Sequence, residues 1–260
     1  MLIAQISDTH ISQPDSNKPH TLERITALKS FVAHIGAMDE KPDLILHTGD
    51  VTQDGKPEEY ETVKTLMNAL GIPVFFALGN RDLGANLEEG LRGLGGTRLV
   101  GDFLIYSVDG FSVRLIAMDT QNKGSRIGTT CSVRLGILEE LLEEHPDTPT
   151  ALFMHHPPFE VPTSDFPFQF DVPALADAFL RLISQHEQIV HLFCGHMHRQ
   201  FSVELATCKA SVTPSLSPDI RLGNFEADWK QRPLFQLHRW SPDTLRFETR
   251  LTPAGGRIAT

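Results

Sequence analysis

Five short stretches, far apart in the chain, carry little besides side chains able to ligate a metal: Asp8-Thr9-His10, Gly49-Asp50, Gly79-Asn80-Arg81-Asp82, Met154-His155-His156 and Gly195-His196-Met197-His198. Each follows an apolar run (2–7, 43–48, 72–78, 150–154 and 189–194) rich in Ile, Leu, Val and Phe, which reads as a buried strand. Strand ends collect loops at a rim, where catalytic groups belong. The fold is therefore expected to bring Asp8, His10, Asp50, Asn80, His155, His196 and His198 together along one edge of a sheet. It also follows that 1–260 reads as a single domain, since no cut between residues 8 and 198 leaves a complete set and no Ser/Gly/Pro-rich linker marks one.

Helical patterns over 21–38, 57–70, 132–144 and 172–185 separate these strands. Pro57 at a first turn and Gly71 beyond a last one suit helix boundaries. Strand-helix-strand alternation over the first 80 residues implies right-handed parallel crossovers. Elsewhere the pattern changes: 103–108 and 111–118 flank Asp109-Gly110, which predicts a two-residue hairpin, and 200–205, 209–213, 233–240 and 244–250 read as further strands joined by short turns. The expected class is α/β, with two packed mixed β-sheets flanked by α-helices. The stretches 119–131 and 157–171 read as long loops near the site.

Composition narrows the partners. A formal charge of -10 argues against a large nucleic-acid interface. No apolar run approaches the roughly 20 residues that span a bilayer, and the start lacks a basic leader, so a cytoplasmic protein with no membrane partner is expected. Cys131, Cys194 and Cys208 form no disulfide pattern, and Cys194 reads as a small buried residue. Oligomeric state is left open.

The candidate ligands are His, Asp and Asn, without cysteine, which points away from structural zinc and toward catalytic Mn, Fe, Zn or Co. Asp8 and His10 would project to one side of an extended segment as i and i+2. Asp50 has two oxygens, each able to serve a different ion, and seven side chains with one shared suit two divalent or mixed-valence ions about 4 Å apart. Met197 reads as packing, without a ligand role.

The ordered set Asp8-x-His10, Gly49-Asp50, Gly79-Asn80-x-Asp82, His155 and Gly195-His196-x-His198 resembles the calcineurin-like metallophosphoesterase family. The resemblance implies a four-layer αββα sandwich in which Asp8, His10 and His198 hold one metal, Asn80, His155 and His196 hold the other, and Asp50 bridges them. Pro157-Pro158, Gly55-Lys56-Pro57-Glu58-Glu59-Tyr60, Thr213-Pro214-Ser215 and Leu237-His238 resemble class III cyclic nucleotide phosphodiesterases and related glycerophosphodiesterases. The implied chemistry is attack by metal-bound hydroxide on a small phosphodiester, with 3′,5′-cyclic nucleotides first and glycerophosphodiesters or other small diesters second. A non-catalytic scaffold of the same fold is the remaining alternative, and the intact ligand set favours the enzyme.

The chain departs from that family at Arg81, where a histidine that contacts phosphate is usual. A guanidinium cannot act as a general acid near neutral pH, but it can grip a phosphate oxygen bidentately. His156 would either support a ligand or face the substrate, and three outcomes follow: a good leaving group or a metal-bound water makes the acid unnecessary, a residue such as His156 supplies the proton, or the site is catalytically weak. An Arg81–Asp82 structural turn is the bland reading. His20, His34, His145, His186 and His238 read as solvated or capping, His47 and His191 as packing, and the run Glu139, Glu140, Glu143 and Glu144 as a solvated helix face. Phe166, Phe168 and Phe170 alternate in a Pro-flanked loop and could line a substrate pocket or an oligomer contact.

Overall fold

The computed structural model describes residues 1–14 and 17–255. In chain order its elements are β1 (Leu2–Ile6), α1 (Thr21–Ala37), β2 (Leu44–His47), α2 (Pro57–Asn68), β3 (Val74–Phe76), α3 (Gly84–Gly90), β4 (Leu99–Val100), β5 (Phe103–Leu104), β6 (Tyr106–Val108), β7 (Arg114–Met118), α4 (Ser132–Glu143), β8 (Thr150–Met154), α5 (Pro173–Ser184), β9 (Ile189–Cys194), β10 (Phe201–Glu204), β11 (Lys209–Val212), β12 (Leu234–Ser241) and β13 (Arg246–Pro253).

The strands form two mixed sheets, ordered β13-β12-β1-β2-β3 and β10-β11-β9-β8-β7-β6, beside the small β4-β5 pair. In the first sheet β1, β2 and β3 run parallel, each crossover carrying a helix, and β12 and β13 return antiparallel. In the second, β7, β8, β9 and β11 run parallel, with β6 and β10 antiparallel at the edges.

Alternation along the second sheet sorts its buried side chains between two cores. Leu115, Ala117, Ala151, Phe153 and Phe193 pack inward with the first sheet, α1 and α2. Ile116, Met118, Leu152, Met154, Leu192 and Cys194 pack outward on α4 and α5. Both faces are covered, so these strands carry no polar alternation, as expected for a parallel sheet under helices. The expected αββα layering is present. Glu139, Glu140 and Glu143 lie on the exposed face of α4, with Glu144 exposed at its C-cap, while Leu138 and Leu142 are buried.

Several expectations change. The 109–110 hairpin is wider than two residues: Val108 pairs with Leu115, Gly110 turns at φ +90°, and Phe111 folds back edge-on to Phe75. Arg114 Nε closes this loop on Asp109 Oδ1 at 2.9 Å. The strand predicted over 103–108 breaks at Ile105, leaving β5 and β6 in different sheets. His238, expected to be solvated, is fully buried between the sheets because both ring nitrogens find partners there, Thr249 Oγ1 at 2.8 Å and Gln5 Oε1 at 3.0 Å. Among the described residues no helix is long and apolar enough to cross a membrane.

Candidate metal centre

The five stretches meet where the C-terminal ends of both sheets face each other, not along one sheet edge. Asp8 and His10 follow β1, Asp50 follows β2, Asn80 follows β3, His155 follows β8, and His196 and His198 follow β9. Backbone groups stitch the two sheets together here. His196 N–H donates to Asp8 Oδ2 at 3.0 Å, Leu216 N–H to Ser7 O at 3.0 Å, and Ser215 Oγ to Asp8 O at 2.9 Å.

Asp8, His10, Asp50, His196 and His198 all adopt positive φ, between 45° and 67°. The extended i, i+2 placement expected for Asp8 and His10 is therefore replaced by left-handed turns. Such backbone costs roughly 1 kcal/mol or more per non-glycine residue, and it concentrates at functional sites. Two glycines let the turns touch. A Cβ on Gly79 would lie 2.0 Å from Asp50 N, and one on Gly195 would lie 2.0 Å from Ser7 Oγ.

The side chains converge as two groups around Asp50. His10 Nε2 lies 3.5 Å from Asp50 Oδ2 and 3.8 Å from Asp8 Oδ1, and His198 Nε2 lies 3.1 Å from that same Asp8 oxygen. His155 Nε2 lies 3.6 Å from Asp50 Oδ1, 3.3 Å from Asn80 Oδ1 and 3.2 Å from His196 Nδ1. Each Asp50 oxygen thus faces a different set.

The outer ring nitrogens explain why these contacts suit a cation. His155 Nδ1 meets Thr48 O at 2.7 Å, His198 Nδ1 meets Ile220 O at 3.0 Å, and His196 Nε2 meets Gln169 Oε1 at 3.0 Å. A carbonyl oxygen only accepts, so each outer nitrogen carries the hydrogen and each inner one presents a lone pair. In the neutral rings these lone pairs face carboxylate and amide oxygens with no proton between them. Asp8 Oδ1 and His10 Nε2 are buried without a hydrogen-bond partner, an arrangement that costs free energy unless a positive charge sits among them. The donor set fits two hard or borderline divalent ions.

In the metal-free protein protons take part of that role. Burial alone would lower His155, yet Asp50 and Asp8 raise it to about 9. Burial would raise Asp50, but the facing His155 and His10 hold it down at about 2. Burial and the nearby His155 charge push His196 down to about 3.

Other residues find different places. The Arg81 backbone N–H donates to Asp50 Oδ1 at 2.7 Å, and its guanidinium makes no hydrogen bond or ion pair among the described residues. The Arg81–Asp82 pair does not form. Asp82 is instead a buried carboxylate that accepts from the N–H groups of Gly79, Val51 and Thr52, each at 3.1 Å, and from Tyr60 OH at 3.0 Å. It ties the Asp50 loop to the Asn80 loop, and burial together with Asp50 pushes its pKa up to about 6. Tyr60 and Glu59 account for the Gly55–Tyr60 motif: Tyr60 OH also receives Leu83 N–H, and Glu59 caps α2 at Lys56 N.

His156 is fully buried with both ring nitrogens engaged. Nε2–H donates to Arg126 O at 3.2 Å, and the Thr120 hydroxyl, which receives His156 N–H, donates to Nδ1 at 2.9 Å. His47 packs beneath the site, stacked on Phe76 and bonded to Thr9 Oγ1. Met197 and Phe170 are buried, whereas Phe166 is 75% exposed.

The family model described as calcineurin-like phosphoesterase matches residues 1–200. The chain belongs to this family. It is 29% identical to the probable glycerophosphodiester phosphodiesterase GpdQ of Arcobacter nitrofigilis over 94% of this chain and 90% of that one. It is 28% identical to a probable cyclic nucleotide phosphodiesterase of Synechococcus sp. over 94% of each. Among solved structures, a dimetal phosphatase from Danio rerio has the same fold, with a TM-score of 0.72 at 14% identity over 99% of this chain and 96% of that one.

Sequence reasoning missed the supports. Asp82 reads from sequence only as a turn partner for Arg81, and its buried partners cannot be read from spacing. Gln121 Nε2 bonds both Gly79 O and Asp82 O at 2.7 and 2.8 Å, holding the Asn80 loop from the second sheet. Arg24 on α1 grips Asp219 at 2.8 Å and Gln53 at 3.0 Å, next to the Ile220 carbonyl that orients His198. No local pattern marks these three.

Proposed function

We propose that this chain is a dinuclear-metal phosphodiesterase acting on small diesters, in which Asp8, His10 and His198 hold one ion, Asn80, His155 and His196 hold the other, and Asp50 bridges them. The observation that carries the reading is the split of the Asp50 carboxylate, each oxygen facing its own group of inward lone pairs. When bound, the ions supply counter-charge to phosphate and lower the pKa of water.

The chain's own residues do the rest. Arg81, anchored through its backbone to Asp50 and free at its guanidinium, binds a phosphate oxygen and offsets charge that develops in the transition state. His156 holds the 119–131 loop in place and does not donate a proton, because its one N–H is already given to Arg126 O. A monoanionic diester needs less counter-charge than a dianionic monoester, which suits a site with one unpaired arginine.

Two substrate classes fit. The motifs that resemble class III enzymes put 3′,5′-cyclic nucleotides first, and a relative named as a cyclic nucleotide phosphodiesterase aligns over 94% of the chain. Glycerophosphodiesters are favoured by the relative named as a glycerophosphodiester phosphodiesterase. The test is to strip the protein of metal, reload it separately with Mn, Fe, Zn or Co, and assay an artificial aryl diester beside 3′,5′- and 2′,3′-cyclic nucleotides and glycerophosphodiesters. Turnover of diesters with two ions per chain is expected. Absence of turnover with every metal would leave only the scaffold reading.

A further inference from the structure

We infer that Gln169 is a positioning residue for His196, fixing its tautomer and thereby linking the 157–171 loop to one half of the metal centre. The inference rests on the reading of His196 as a ligand. His155, His156 and His198 each give their outer N–H to a main-chain carbonyl, of Thr48, Arg126 and Ile220. His196 differs: its Nε2 meets a side-chain amide, Gln169 Oε1, at 3.0 Å.

The orientation of that amide is determined by its other end. Gln169 Nε2 donates to Phe166 O at 2.8 Å, and a flip would set oxygen against oxygen there. Oε1 must therefore face His196, and an acceptor there places the imidazole hydrogen on Nε2. Nδ1 is left with its lone pair toward His155 Nε2, 3.2 Å away.

The same residue is also stitched to the neighbouring loop. Gly128 N–H donates to Gln169 O, and Asp171 N–H donates to Gly128 O, both at 2.9 Å. Two residues before Gly128, Arg126 O receives His156 Nε2–H, and the His156 and His196 rings lie 4.4 Å apart. The two long loops thus form one wall, and each supplies an acceptor to one of two adjacent imidazoles. Phe166, whose carbonyl holds the Gln169 amide, is the most exposed large apolar side chain in that wall.

The test is a Co(II) titration of metal-free protein, read by calorimetry and by visible absorption, on wild type, Gln169→Leu, Gln169→Glu and His196→Ala. Gln169→Leu should weaken one of the two bound ions by roughly 10- to 100-fold and leave the other unchanged. Gln169→Glu keeps an acceptor on Nε2–H, so its affinity should equal or exceed wild type, with shifted Co(II) bands from the more basic imidazole. If Gln169→Leu binds both ions like wild type, or Gln169→Glu is weakened with an unshifted spectrum, the positioning role is wrong. Should Gln169→Leu not fold, the Glu variant alone decides by the same two readouts. His196→Ala separates the layers: two ions retained at wild-type affinity would overturn the ligand reading itself.

Discussion

The two halves of the proposed metal centre are built by different means. In the first, Asp8, His10 and His198 all sit in left-handed backbone, and Asp8 N–H and His10 N–H bond to the carbonyls of Gly49 and Asp50 at 3.0 Å. In the second, only His196 is left-handed, Asn80 Oδ1 meets the His155 ring, and His196 depends on a glutamine side chain. The first half rests on main chain throughout, whereas the second mixes a main-chain anchor, Thr48 O for His155, with a side-chain one, Gln169 for His196. Main-chain hydrogen bonds survive substitution of a side chain, so single mutations should separate the halves more readily in the second.

The largest effect should come from removing what both halves share. Asp50→Ala should lower kcat by roughly 10³-fold or more, since two cations are expected to supply several kcal/mol, and bound metal should fall for both sites in elemental analysis. His10→Ala and His155→Ala should each remove mainly one ion, and equal loss of both ions in either variant would break the comparison.

Arg81→Ala comes next. In the proposed role its guanidinium meets the substrate and neither half, so metal content should hold at two ions while kcat/KM falls roughly 10- to 100-fold, the worth of a charged hydrogen bond. Arg81→His should restore a pH-dependent limb to kcat by supplying an acid. Unchanged kinetics in Arg81→Ala would end the phosphate-clamp role.

Arg24→Ala should be milder. Loss of its grip on Asp219 loosens the segment that presents Ile220 O to His198. A drop of roughly 10-fold in affinity at the first half alone is expected from a support of this kind, measured by the same calorimetry.

The last predicted change needs no substitution and is graded with pH. As a metal ligand His155 would have to lose a proton, and that proton is held up to about 9. Apparent affinity should therefore rise with pH through neutrality, by up to tenfold per unit, and level off near 9. Without metal the sign for folding is opposite. His155, raised above its unfolded value, contributes stability that is complete below about 6.5 and fades as pH climbs through about 9. A melting temperature of the metal-free chain that rose between those values would contradict this contribution.

Much of this was legible in the chain. Strands β1, β2, β3, β8 and β9 and four helices follow from apolar runs with polar stops, because burial under helices on both faces writes itself as a continuous hydrophobic stretch. The short α3 and the β4-β5 pair did not, since seven- and two-residue elements carry too little periodicity to read.

By itself the sequence determined the identity and order of the candidate ligands, the alternation that folds them to strand ends, and the membership that residues 1–200 share with the phosphoesterase family. Only the tertiary structure decided that the ligands close across two sheets, that Asp50 divides its oxygens between two groups, and that Asp82, Arg24 and Gln169 hold the loops. The reason is range. Strand and helix signals act over a few residues, whereas a hydrogen bond such as Arg24 to Asp219 joins positions whose proximity no local pattern encodes.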